Sequence, residues 1–254
     1  MTRLARISVL ALAVSSIASA QANGFAGTWK LNLAKSEMGG SMYTFSKNAS
    51  GVWHYSGGGF DTDFDLAGKA YAMPNGISIA GKEVNPTTWD ITFTMNGKVV
   101  QKMKAAVNGN TLTVVTDVTG ADGKSTQTTS TDTRVSGGPG FAGKWKTGNM
   151  TGSQTTLKIA TTGNAITMEV PEFQSVVKGS FDGKDNPMMQ GGQATKMTQA
   201  FAKAGATSFT ATLKMGGKDF STDVYTLSAD GKTLTLESTT TATHEKTKSV
   251  FDRQ

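Results

Sequence analysis

Phe25-Ala26-Gly27-Thr28-Trp29-Lys30 returns as Phe141-Ala142-Gly143-Lys144-Trp145-Lys146, identical at five of six positions and displaced by 116 residues. Three more pairs of segments follow in the same order. Trp89-Asp90-Ile91-Thr92-Phe93-Thr94-Met95 answers Phe209-Thr210-Ala211-Thr212-Leu213-Lys214-Met215, Asn108-Gly109-Asn110-Thr111-Leu112 answers Asp230-Gly231-Lys232-Thr233-Leu234, and Thr131 to Val135 answers Val250 to Gln254. Collinear anchors over so long a period mark two tandem domains rather than a solenoid, whose repeats are shorter. The expected layout is a first domain over 23–135, a Gly/Pro linker at 136–140 and a second domain over 141–254.

Within each copy the apolar residues recur at every second position. Ile91, Phe93 and Met95 alternate with Asp90, Thr92 and Thr94, and Phe209, Ala211, Leu213 and Met215 alternate with Thr210, Thr212 and Lys214. Such strands have one dry face and one wet face, as in an antiparallel sheet. Asn96-Gly97, Asn108-Gly109, Asp122-Gly123, Gly163-Asn164, Asp182-Gly183, Gly216-Gly217 and Asp230-Gly231 punctuate the runs as hairpin turns. The reading is all-β with about eight strands per copy. Thr195 to Ala204 fits either a strand or a short helix. A sheet of that size has two exposed edges unless it closes, which favours an up-and-down barrel, although an immunoglobulin-like sandwich has a similar strand count.

Gly27-x-Trp29 and Gly143-x-Trp145 open the two copies, and Arg134 and Arg253 stand in their last strands. This pairing resembles the lipocalin and avidin (calycin) superfamily, in which an opening tryptophan packs under a late arginine at the closed end of a barrel. The longer phrases Gly27 to Ser36, Asp182 to Pro187, Ser228 to Thr235 and Phe251 to Gln254 resemble exported bacterial lipocalin-like domains, common in acidobacteria, that bring no established activity. The resemblance implies two tandem antiparallel barrels, each closed by its own pair, Trp29 with Arg134 and Trp145 with Arg253. The second copy has Thr147-Gly148-Asn149 where the first has Leu31-Asn32-Leu33, so its opening strand is expected to end early.

Residues 1–20 place Arg3 and Arg6 before an apolar run from Ile7 to Val14 and the small residues Ala18-Ser19-Ala20. That is the layout of a secretory signal peptide, which predicts a secreted or periplasmic protein. The run is too short to span a bilayer, which needs about 20 residues, and no later stretch competes with it. There is no cysteine, so neither disulfides nor a lipidated cysteine is available. Beyond residue 20 the chain carries 23 basic and 19 acidic residues, a net charge of +4. The lysines are scattered over turns rather than clustered in a stripe, which disfavours nucleic acid as a partner.

Candidate chemistry is sparse. His54 and His244 fall in different copies and the chain has no thiol, so a nucleophile with its base is not evident. Asp61, Asp63 and Asp65 alternate along one strand and fit a solvated face better than a calcium site, which asks for six or more oxygens. No cofactor and no catalytic residue are expected. Large aromatics concentrate in the first copy, where Trp53, Tyr55, Phe64, Trp89 and Phe93 are the candidates to line a ligand cavity, the alternative being a core filled by the same rings. The function expected is non-enzymatic binding of a small apolar or amphipathic molecule in the first barrel. The rival expectation is an interaction module that meets a protein or polysaccharide through its loops or wet face.

Overall fold

The computed structural model describes residues 24–72, 77–120 and 122–254. The predicted signal peptide at 1–20 lies outside them. The first half of the chain supplies β1 (Gly27–Leu31), β2 (Met42–Lys47), β3 (Trp53–Gly57), β4 (Phe60–Phe64), β5 (Ala67–Ala72), β6 (Ile77–Asn85), β7 (Thr88–Met95), β8 (Lys98–Asn108), β9 (Thr111–Thr119) and β10 (Ser125–Ser136). The second half supplies β11 (Gly143–Lys146), β12 (Met150–Gly152), β13 (Thr156–Thr162), β14 (Ala165–Val170), β15 (Ser175–Ser180), β16 (Asp185–Gln190), β17 (Gln193–Lys203), β18 (Ser208–Met215), β19 (Lys218–Leu227), β20 (Thr233–Thr240) and β21 (Lys246–Arg253). Two 3-10 turns, Leu33–Lys35 and Pro171–Phe173, are the helical elements among the described residues. The segment that fits strand or helix is strand β17. Among the described residues no helix is long and apolar enough to cross a membrane.

The strands form two antiparallel barrel-like sheets of about ten strands each, where about eight were expected. The difference in the first half comes from β5 and β6, whose short, Gly- and Ala-containing stretches lack a clear apolar alternation. One barrel is closed, in the order β1-β13-β14-β15-β16-β17-β18-β19-β20-β21. The other runs β4-β3-β2-β11-β10-β9-β8-β7-β6-β5 with β12 beside β10, and its end strands β4 and β5 are not paired with each other. That second sheet is therefore nearly closed, with a seam between β4 and β5.

The two halves exchange their opening strands. Trp29 stands opposite Arg253 and Leu157, so β1 lies between β21 and β13 of the closed barrel. Trp145 stands opposite Arg134 and Tyr43, so β11 lies between β10 and β2 of the nearly closed one. This corrects the expected pairing of Trp29 with Arg134 and of Trp145 with Arg253, and it corrects the expected domain boundaries. The closed barrel is built from residues 27–31 with 156–253, and the other from 42–136 with 143–152. Two physical reasons account for the exchange. The opening strands have nearly the same sequence, so each fits either slot, and the short connection from Ser136 to Gly143 lets β11 fold back on β10 as a hairpin at little loop entropy.

The closures themselves are equivalent. The Arg253 guanidinium lies 4.1 Å from the Trp29 ring centroid and donates to the carbonyls of Ala26 (2.8 Å), Gly231 (2.6 Å) and Gly24. Arg134 lies 4.1 Å from the Trp145 ring and donates to Ala142 (3.0 Å) and Gly140. Each indole is fully buried and donates to the carbonyl four residues earlier, Phe25 or Phe141, at 2.9 Å. A Cβ at Gly27 would sit 2.7 Å from the Arg253 guanidinium, which is why the residue two before the tryptophan is glycine.

The crossing connectors touch. Gly40 donates to the carbonyl of Thr147 and Thr147 to that of Ser41, both at 2.8 Å. A Cβ at Gly39 would meet the Gly148 carbonyl oxygen at 2.8 Å, and one at Gly148 would meet the Thr131 carbonyl oxygen at 1.7 Å. The departure at Thr147-Gly148-Asn149 thus marks the crossover, and β11 ends at Lys146 as expected of a shortened strand.

Candidate ligand cavity

The register of the two barrels allows their interiors to be compared position by position. Trp29 pairs with Leu157 and Trp145 with Tyr43, so Leu157 and Tyr43 are equivalent. Onward from there, Phe45 and Tyr55 of the nearly closed barrel match Ile159 and Met168 of the closed one, and Trp53 matches Ile166. The β7–β8 and β18–β19 hairpins, Met95 opposite Lys98 and Met215 opposite Lys218, make Trp89 equivalent to Phe209 and Ile91 to Ala211. Aromatic rings thus replace aliphatic chains over much of one interior.

The largest difference is at Gly81, which pairs with Ile91, whereas its counterpart Phe201 pairs with Ala211. Phe201 is fully buried in the closed barrel, together with Phe209, Trp29 and Leu234. At Gly81 there is no ring, and the Leu66 side chain from the β4–β5 connection comes so near that a Cβ would meet it at 2.7 Å. Beside it opens a cavity of about 410 Å³ along the β4–β5 seam. Its wall is formed by Phe45, Tyr55, Phe60, Phe64, Leu66, Tyr71, Ile79, Ile91, Phe93 and Met103, with Thr62, Asp63 and Asp65 as the other polar residues. The volume falls in the range of about 300–1,000 Å³ usual for small-molecule sites.

Of the five aromatics singled out from sequence, Tyr55, Phe64 and Phe93 line this cavity. Trp53 and Trp89 do not. They lie in the core behind it, edge to face at 4.8 Å, with Trp89 stacked 3.5 Å from Phe141 and in edge contact with the lining residues Phe45 and Phe64. Both indole nitrogens are buried without a hydrogen-bond partner. Gly81, Leu66, Ile79, Ile91 and Met103 were not singled out. The Gly81 signal was present in the repeat, because the anchor that aligns Met95 with Met215 also sets Gly81 against Phe201.

Polar groups flank the cavity in defined pairs. The Asp61-Asp63-Asp65 row does not act as one cluster. Asp63 accepts from His54 at Nδ1 (2.8 Å) and Asp61 approaches Nε2 at 3.4 Å, outside the barrel wall. The Asp63 hydrogen bond draws the imidazole toward its charged form. Asp65 instead accepts from the Tyr71 hydroxyl and the Ala67 amide, which hold its carboxyl below the usual range. Among the described residues no group of three or more His, Cys, Asp or Glu is placed to hold a metal ion. Deeper in the same barrel, the buried Tyr43 hydroxyl donates to buried Asp132 at 2.6 Å, and burial pushes the phenol far above its ordinary value.

The closed barrel has one buried carboxyl of its own. Asp223 accepts from Ser221 (3.3 Å) and Ser238 (2.6 Å), yet burial raises its pKa above the ordinary carboxyl value. A carboxyl that binds its proton more tightly when folded favours the fold below its unfolded pKa, about 3.9, and loses that contribution as pH rises through the folded value. Asp223→Asn removes the dependence. Its melting temperature is expected to gain on the parent protein between pH 4 and pH 7, and equal thermal shifts at both pH values would contradict the burial argument.

No family model matches this chain, and no curated protein matches its sequence.

Proposed function

We propose that this is an exported, lipocalin-like binding protein whose nearly closed barrel holds a small apolar or amphipathic molecule and whose closed barrel is a structural partner. The observation that carries the reading is the contrast between twin interiors: Phe201 fills one, and Gly81 leaves an aromatic-lined space in the other. A fold that buries a phenylalanine ring at this position in one copy has no need of an unfilled space in its twin, since an empty cavity forfeits packing energy. The β4–β5 seam supports entry, because no ladder of hydrogen bonds has to break there. Binding rather than catalysis fits a wall with few polar groups.

The test uses the fluorescence of N-phenyl-1-naphthylamine, which rises in apolar surroundings. Saturable enhancement is expected, and Ile91→Trp, which places an indole in the space, is expected to weaken it at least tenfold while the melting temperature holds or rises. Absence of saturable enhancement in the parent protein, or full binding by Ile91→Trp, would overturn the reading.

A further inference from the structure

Resting on that reading, we propose that the cavity selects cationic amphiphiles, molecules with an ammonium head on an apolar body, over carboxylates of the same body. The argument begins with the wall. Among the described residues no lysine, arginine or histidine lines it, and its two charged residues, Asp63 and Asp65, are both anions. Asp65, bonded to Tyr71, stands at the seam where a head group would rest while the tail reaches Ile79, Ile91 and Met103, and Asp63 adds its charge from the outer face of β4. A carboxylate there would give up part of its hydration beside two like charges, whereas an ammonium would meet opposite charge at the edge of a low-dielectric space.

The rim already accommodates an ammonium supplied by the chain. Lys69 Nζ lies 5.6 Å from the Tyr71 ring centroid, and that phenol is the one bonded to Asp65. A ring face backed by a carboxylate is the arrangement that attracts alkylammonium ions. His54, the other cation bonded to this row of carboxylates, is spent between Asp61 and Asp63 on the outer face. Even with that imidazole charged, the three carboxylates of the row outnumber His54 and Lys69 by one.

The experiment displaces N-phenyl-1-naphthylamine with dodecylamine, dodecan-1-ol and dodecanoate, each below its micellar concentration at neutral pH. Dodecylammonium is expected to compete roughly tenfold better than dodecanoate, with the alcohol between, as for a head group several ångströms from partly solvated charges. The ratio is expected to fall toward one in Asp63→Asn/Asp65→Asn, and also in the parent protein as ionic strength approaches 1 M, where the Debye length is about 3 Å. The salt arm keeps the test decisive should the double variant misfold. Dodecanoate competing as well as the amine, or a ratio insensitive to both changes, would overturn the charge selection while leaving the binding function standing. If neither the reporter nor the alcohol binds, the binding function itself fails, and this selectivity with it.

Discussion

Trp29→Ala is expected to destabilise the barrel made from the C-terminal half of the chain, and Trp145→Ala the barrel made from the N-terminal half. Each indole is fully buried, stacked by an arginine and bonded to a carbonyl, so truncation removes its burial, opens a void and leaves the guanidinium without its ring. The cost for a buried tryptophan is about 3–5 kcal/mol. Segment-resolved amide hydrogen exchange distinguishes the two outcomes. Trp29→Ala should accelerate exchange in β13 to β21 and leave reporter binding in the cavity intact. Trp145→Ala should accelerate exchange in β2 to β10 and abolish that binding. The reverse assignment would mean that each tryptophan serves its own half and that the strands are not exchanged.

A cysteine pair reads the same topology covalently, on a chain whose lack of cysteine gives a clean background. Leu31 donates to the carbonyl of Thr155, which makes Thr28 and Lys158 a pair that does not exchange backbone hydrogen bonds, the closer kind of antiparallel neighbour. Thr28→Cys/Lys158→Cys is expected to oxidise quantitatively within one chain. Closing a loop of that length is expected to stabilise the closed barrel by about 2–4 kcal/mol, seen as a raised denaturant midpoint. In an unexchanged fold Thr28 would occupy the place of Lys144, opposite Thr44. Thr28→Cys/Thr44→Cys is therefore the opposing double variant, and its efficient oxidation instead would refute the exchange.

Much of this architecture is legible in the amino acids. Period-two alternation in β7 and β18, the paired turn glycines and the tryptophan and arginine at opposite ends of each copy lead to two antiparallel barrel-like sheets. The exchange is not legible there, for a physical reason. Trp29 and Trp145 sit in the same six-residue phrase, so the local fit of either strand to either slot is the same, and only the turn after Ser136 tips the balance. Cavity depth is hidden for a different reason. Alternation tells which face of β3 carries Trp53 and Tyr55, but not that Tyr55 meets the open space while Trp53 packs behind it. The space itself is made by Gly81, a residue with no side chain to draw notice until it is set against Phe201.

The clasp between β1 and β21 also fixes an order of events. On the ribosome, β1 emerges more than 200 residues ahead of the strand that lies beside Trp29, and the Gln254 amide that donates to the Thr28 carbonyl follows later still. The nearly closed barrel has all its strands by Gly152, whereas the closed one must leave its earliest segment waiting until β21 is made. A chain that stopped before Lys246 would therefore leave β1 with one edge of its slot missing.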